Sequence, residues 1–130
     1  MNIPMLLELA IGELGVSEDA GKDDDTAGRI LAYRQAVLNR DPDRDPEPWC
    51  ADFVAWVHKE AGTPLGPKGE GFSYVPYLSD WLDKSGFGFC VGEKLPQAGD
   101  MVVFNLNIED EIKKGLEPKP DHVGIVYEVH

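Results

Sequence analysis

A chain of 130 residues with 24 acidic and 12 basic side chains, net charge −12, has room for one hydrophobic core. Its surface repels phosphate backbones, which argues against nucleic acid as a partner. Apolar residues make up 42% of it, yet no apolar run is long enough to span a membrane. No secretory signal is visible at the N-terminus. The two cysteines, Cys50 and Cys90, are too few for a disulfide framework. With His58, His122 and His130 they show no zinc-ligand spacing.

Taken in chain order, residues 4–15 read as a helix, with Leu7, Ile11 and Leu14 at helical spacing and Gly15 as the stop. Ser17 to Asp25 reads as a polar loop. Thr26 is placed to cap a second helix carrying Ile30, Tyr33 and Val37 on one face. Residues 40–48, rich in Pro and Asp, cannot be regular helix. A third helix is expected from Trp49 to Ala61, with Cys50, Val54 and Val57 on one stripe and Gly62 ending it. Residues 62–73, rich in Gly and Pro, form a loop before a short helix at Val75 to Lys84, with Leu78, Trp81 and Leu82 inward. Cys90, among Phe87, Phe89 and Val91, reads as a small buried hydrophobe.

The period then changes. Met101–Phe104 and Val123–Tyr127 are β-rich runs of strand length, the first led in by a turn at Pro96 and Gly99-Asp100. Between them Ile108 to Gly115 reads as a charged, solvated helical turn. Helices first and strands later predict an α+β fold in one domain over residues 1–130.

One pairing carries chemistry. Cys50 stands in the first turn of its helix, and His122 opens the second strand. Helix N-termini and nearby imidazoles both lower a thiol's pKa, and the thiolate is the nucleophile. A cysteine and a histidine so placed are the minimal set for thiol acyl transfer. His58, eight residues beyond Cys50, would lie about 12 Å away along the helix and cannot serve as the base.

Four segments together resemble a known family, the first being the opening Glu13-Leu14-Gly15-Val16-Ser17-Glu18 with the Gly- and Asp-rich loop after it. Pro48-Trp49-Cys50-Ala51-Asp52-Phe53-Val54-Ala55-Trp56-Val57, running to Ala61-Gly62, resembles the nucleophile helix of CHAP domains, the cysteine, histidine-dependent amidohydrolases/peptidases of the papain-like superfamily. Pro96-Gln97-Ala98-Gly99-Asp100-Met101-Val102-Val103-Phe104 resembles their Pro, Gly-Asp, apolar-strand segment. Asp121-His122-Val123-Gly124-Ile125-Val126 resembles their histidine strand. The resemblance implies N-terminal helices on a small antiparallel sheet and a hydrolase of bacterial peptidoglycan, an N-acetylmuramoyl-L-alanine amidase or an endopeptidase of phage-lysin or autolysin type. It implies Cys50 as nucleophile and His122 as general base. It places the protein's action at the cell wall, outside the cell, with a wall-binding module elsewhere in a longer parent protein.

In such sites a third polar group usually orients the histidine. The family carries it on a strand after the histidine strand, and this chain ends at His130, so a C-terminal truncation is expected here. Glu128 would lie about 20 Å from His122 along the strand. Asp121 should point to the opposite face. Asn105 and Asn107, near the end of the neighbouring strand, are further candidates.

The loop before the cysteine is acidic. Asp41, Asp43, Asp45 and Glu47 alternate with other residues, so an extended backbone puts their carboxylates on one face. Clustered oxygens without Cys or His suit calcium. Some phage-lysin members hold calcium with aspartates nine and seven residues before the nucleophile and one two residues after it. Asp41, Asp43 and Asp52 fall on those positions, and Asp45 and Glu47 on the carbonyl positions between them. The alternatives are a solvated acidic loop, a non-catalytic peptidoglycan- or calcium-binding module, and a thiol hydrolase of some other amide.

Overall fold

The structure, a computed structural model, describes residues 3–15, 28–37, 49–86 and 94–129. Among these the elements run α1 (Ile3–Gly12), α2 (Gly28–Gln35), α3 (Cys50–Glu60), α4 (Val75–Lys84), β1 (Met101–Phe104), α5 (Ile108–Lys113) and β2 (His122–Ile125). The fold is α+β, as the order of periodicities implies. The chain divides into two compact units, Met1–Ser73 and Tyr74–His130. Among the described residues no helix is long and apolar enough to cross a membrane.

In the first unit α3 packs against both α1 and α2. Ala51, Val54, Ala55 and Val57 recur at three- and four-residue spacing and are buried with Leu6, Ile30, Tyr33, Ala36 and Val37. The end of α3 follows from Gly62. Its positive φ of 86° lets the Gly62 N–H reach the Lys59 carbonyl and the Thr63 N–H reach that of His58. These two bonds satisfy carbonyls the helix leaves over. The first helix stops earlier than its apolar spacing suggests. Glu13 and Leu14 donate to Ala10 and Ile11, three residues back, and this tighter turn ends α1 at Gly12. Leu14 is consequently 80% exposed, and Leu6 is the buried residue of α1. Thr26 and Cys90 lie outside the described residues.

After α3 the chain returns through Gly71, whose φ is 76°. A Cβ there would sit 3.1 Å from the Ala55 methyl and 3.3 Å from a Val37 methyl, so only glycine lets this loop lie on the core.

In the second unit α4 begins with Pro76 in its first turn, where the missing N–H costs nothing. It buries Val75 and Leu78, with Trp81 and Leu82 half-buried. The turn before β1 is closed by Asp100, whose carboxylate accepts the Gln97 N–H while its own N–H donates to the Gln97 carbonyl. Gly99, at φ 92°, then donates to the Val126 carbonyl. β1 and β2 pair antiparallel in the register Met101↔Ile125, Val102↔Gly124, Val103↔Val123 and Phe104↔His122. Side-chain alternation puts Val102, Phe104, His122 and Gly124 on one face. The opposite face carries Met101, Val103, Ile125 and the buried Val123. β2 opens on His122, as expected, and ends at Ile125, two residues before the end of its apolar run. The charged excursion is α5, with no buried residue.

Candidate active site

Cys50 is the first residue of α3, with Trp49 as its N-cap and the Phe53 N–H donating to the Trp49 carbonyl at 2.9 Å. This end of a helix favours negative charge, and its first N–H groups have no partner within the helix. Cys50 is half-buried. Aromatic packing sets the height of this helix start. Tyr33 of α2 stacks on Trp49 at 5.7 Å and meets Phe53 edge-on at 5.0 Å and Trp56 at 5.4 Å. Trp49, Phe53 and Trp56 thus form one stripe around a buried tyrosine. On its outer side the Arg29 guanidinium lies over Trp56 at 5.1 Å and pairs with Glu13.

Asp52, two residues beyond Cys50, points into the first unit. Its carboxylate accepts the Ser73 hydroxyl and faces the Arg34 guanidinium at 4.0 Å, with both charged side chains wholly buried. Three segments, α2, the start of α3 and the end of the 62–73 loop, therefore meet at one carboxylate. Of the five residues expected to hold calcium, this is the one the structure describes. Asp41, Asp43, Asp45 and Glu47 lie outside the described residues.

His122 is half-buried at the start of β2, and Phe104 lies opposite it on β1 with the two rings stacked at 5.9 Å and 24°. The polar neighbours weighed as its partners are engaged elsewhere. Asp121 accepts the Leu106 N–H at 2.8 Å and the Asn107 side-chain amide at 2.7 Å. The Asn105 side-chain amide donates to Glu111 at 3.0 Å, and its Oδ1 accepts the Asn107 backbone N–H at 2.9 Å. Asp121 therefore clamps the excursion, and the two asparagines serve its turns. Among the described residues no hydrogen bond reaches the His122 ring.

His58 sits 1% exposed near the far end of α3, with Thr63 Oγ1 3.5 Å from its Nδ1. Burial pushes its pKa below the usual imidazole value, so it is a neutral core residue.

The sequence reading did not single out Arg34, Ser73 or Phe104. Phe104 had a legible signal, an aromatic closing a strand whose partner strand opens on the histidine. Arg34 and Ser73 had none.

The comparisons gave no match among curated proteins or solved structures. The family model of the CHAP domain matches residues 42–130, a span that holds both the cysteine at the helix start and the histidine at the head of β2. The chain accordingly belongs to the CHAP family, the cysteine, histidine-dependent amidohydrolases/peptidases.

Proposed function

We propose that the protein hydrolyses amide bonds of bacterial peptidoglycan through an acyl-enzyme on Cys50, with His122 as acid and base. The observation that carries the reading is Cys50 at the first position of α3, within the span that matches the family. His122 takes the thiol proton and the thiolate attacks the amide carbonyl. The tetrahedral oxyanion draws on N–H groups at the helix start. Collapse of the intermediate breaks the C–N bond while His122 gives its proton to the leaving amine. Water, deprotonated by the same imidazole, then releases the acyl group and restores the thiol. The scissile bond is either the sugar–peptide amide or one within the stem peptides. The enzyme works at the cell wall, outside the cell. An acidic domain adheres weakly to anionic walls, so a separate wall-binding module completes this reading.

Calcium belongs to the same proposal through the acidic loop at Asp41, Asp43, Asp45 and Glu47. Asp52 as placed does not fit an open ligand, because Arg34 already supplies the countercharge a cation would bring. No step of the mechanism is routed through the ion.

The deciding experiment is digestion of purified peptidoglycan with products identified by mass spectrometry and Cys50→Ala as control. Fragments that vanish with Cys50→Ala are expected, and their new termini name the bond. Their absence, with an unreactive Cys50 thiol, would favour the rival reading, a non-catalytic module that binds peptidoglycan or calcium.

A further inference from the structure

Resting on the hydrolase reading, we infer that Phe104 is the positioning residue of the His122 imidazole. The two residues are direct cross-strand partners, and their rings stack at 5.9 Å and 24°. A histidine that takes a proton from a thiol and passes it to an amine must hold its ring plane while both transfers occur. In many sites a carboxylate or amide does this by bonding one ring nitrogen. Here Asp121, Asn105 and Asn107, the polar groups nearest in the chain and across the strand pair, are committed to the α5 excursion.

What meets the imidazole is a flat aromatic face. Stacking on its face holds the imidazole within 24° of the phenyl plane and does not consume the in-plane positions of its ring nitrogens, which proton transfer needs. The same face suits the imidazolium formed when the thiol gives up its proton, since aromatic faces attract cations.

Phe104 is well placed to do this. Its carbonyl accepts the Asp121 N–H at 2.8 Å, which ties the end of β1 to the residue just before His122. Its side of the pair is also open to solvent, with Phe104 43% exposed. Replacing the ring therefore leaves no core cavity behind, and the consequences of losing it report on His122 rather than on folding. Beside the imidazole on its own strand, Gly124 leaves the face clear, since a Cβ there would meet nothing within 4 Å.

The test compares the full chain with Phe104→Leu and Phe104→Tyr. The His122 ring protons are followed by NMR, and kcat and KM are measured on solubilised peptidoglycan fragments. Wild type and Phe104→Tyr should show His122 protons shifted upfield by the neighbouring ring current, and Phe104→Leu should lose that shift. Phe104→Leu should lower kcat about three- to tenfold, the range of one aromatic contact, with KM nearly constant, and Phe104→Tyr should restore it. Unmoved His122 resonances in Phe104→Leu overturn the inference. So does full kcat in that variant, or a Phe104→Tyr that keeps the stack without restoring kcat. A wild-type chain that digests nothing sinks the hydrolase reading and the positioning role with it, whereas loss of kcat in Phe104→Leu alone leaves both standing.

Discussion

Arg34 and Asp52 face each other at 4.0 Å inside the first unit, both side chains wholly buried, with the Ser73 hydroxyl donated to the same carboxylate. The separation is that of a charge pair rather than a direct hydrogen bond. Removing one member takes a countercharge out of the core, which costs about 3–5 kcal/mol where such buried pairs have been broken. Arg34→Met should lower the urea midpoint sharply, and Arg34→Met with Asp52→Leu should recover most of the loss. A double variant as unstable as the single would show that the cost lies in packing and not in charge. Ser73→Ala removes one hydrogen bond to a charged group and should cost about 1.5–3 kcal/mol.

His58 makes stability depend on pH. Burial holds its folded pKa below the unfolded value of about 6.5. Above that value both states are neutral and the residue is silent. As pH falls below it, the unfolded chain takes up a proton that the folded one refuses, so stability drops until the folded pKa is reached. Urea unfolding at pH 7.5 and pH 5.5, with those values chosen to straddle about 6.5, should show a smaller acid loss in His58→Gln than in wild type. Equal losses would remove His58 from the account.

Gly71 combines a positive φ with close contact to Ala55 and Val37. Gly71→Ala should destabilise by about 1–3 kcal/mol, through overpacking added to backbone strain. A thermal melt within a degree of wild type would mean that the 62–73 loop lifts away at little cost.

Gly124 offers the opposite case. Its φ is not in the left-handed region and a Cβ has open space. Gly124→Ala should be neutral or stabilising by about 0.5–1 kcal/mol, since glycine is a poor strand residue. The added methyl would share a face with His122. Slower peptidoglycan digestion at an undiminished melting temperature is the expected result, and unchanged digestion would place the substrate elsewhere.

If the loop from Asp41 to Glu47 binds calcium, millimolar calcium should raise the melting temperature, and chelator should reverse the rise. Asp41→Asn with Asp43→Asn should abolish the effect. A melting temperature indifferent to calcium would end that proposal.

Much of the site was legible before folding because it rests on local rules. Cys50 at a helix start, the Gly62 stop, the Asp100 turn and the strand Met101–Phe104 each depend on residues within a few positions of one another. The end of α1 is not legible in the same way, since apolar spacing through Leu14 outruns the tighter turn that ends the helix at Gly12. Likewise the apolar run at Val123–Tyr127 overruns the end of β2, because strand limits follow the partner's hydrogen bonds and not hydropathy.

By itself the sequence determined the α+β class, the nucleophile and base candidates and the family to which their flanks belong, because periodicity, capping and turn chemistry act over one or two turns of chain. Only the tertiary structure decided that Asp52 turns inward to Arg34 and Ser73, and that Phe104 rather than Asp121, Asn105 or Asn107 lies against His122. Those contacts join residues 18 or more positions apart, or depend on the register of two strands, and no local pattern encodes either.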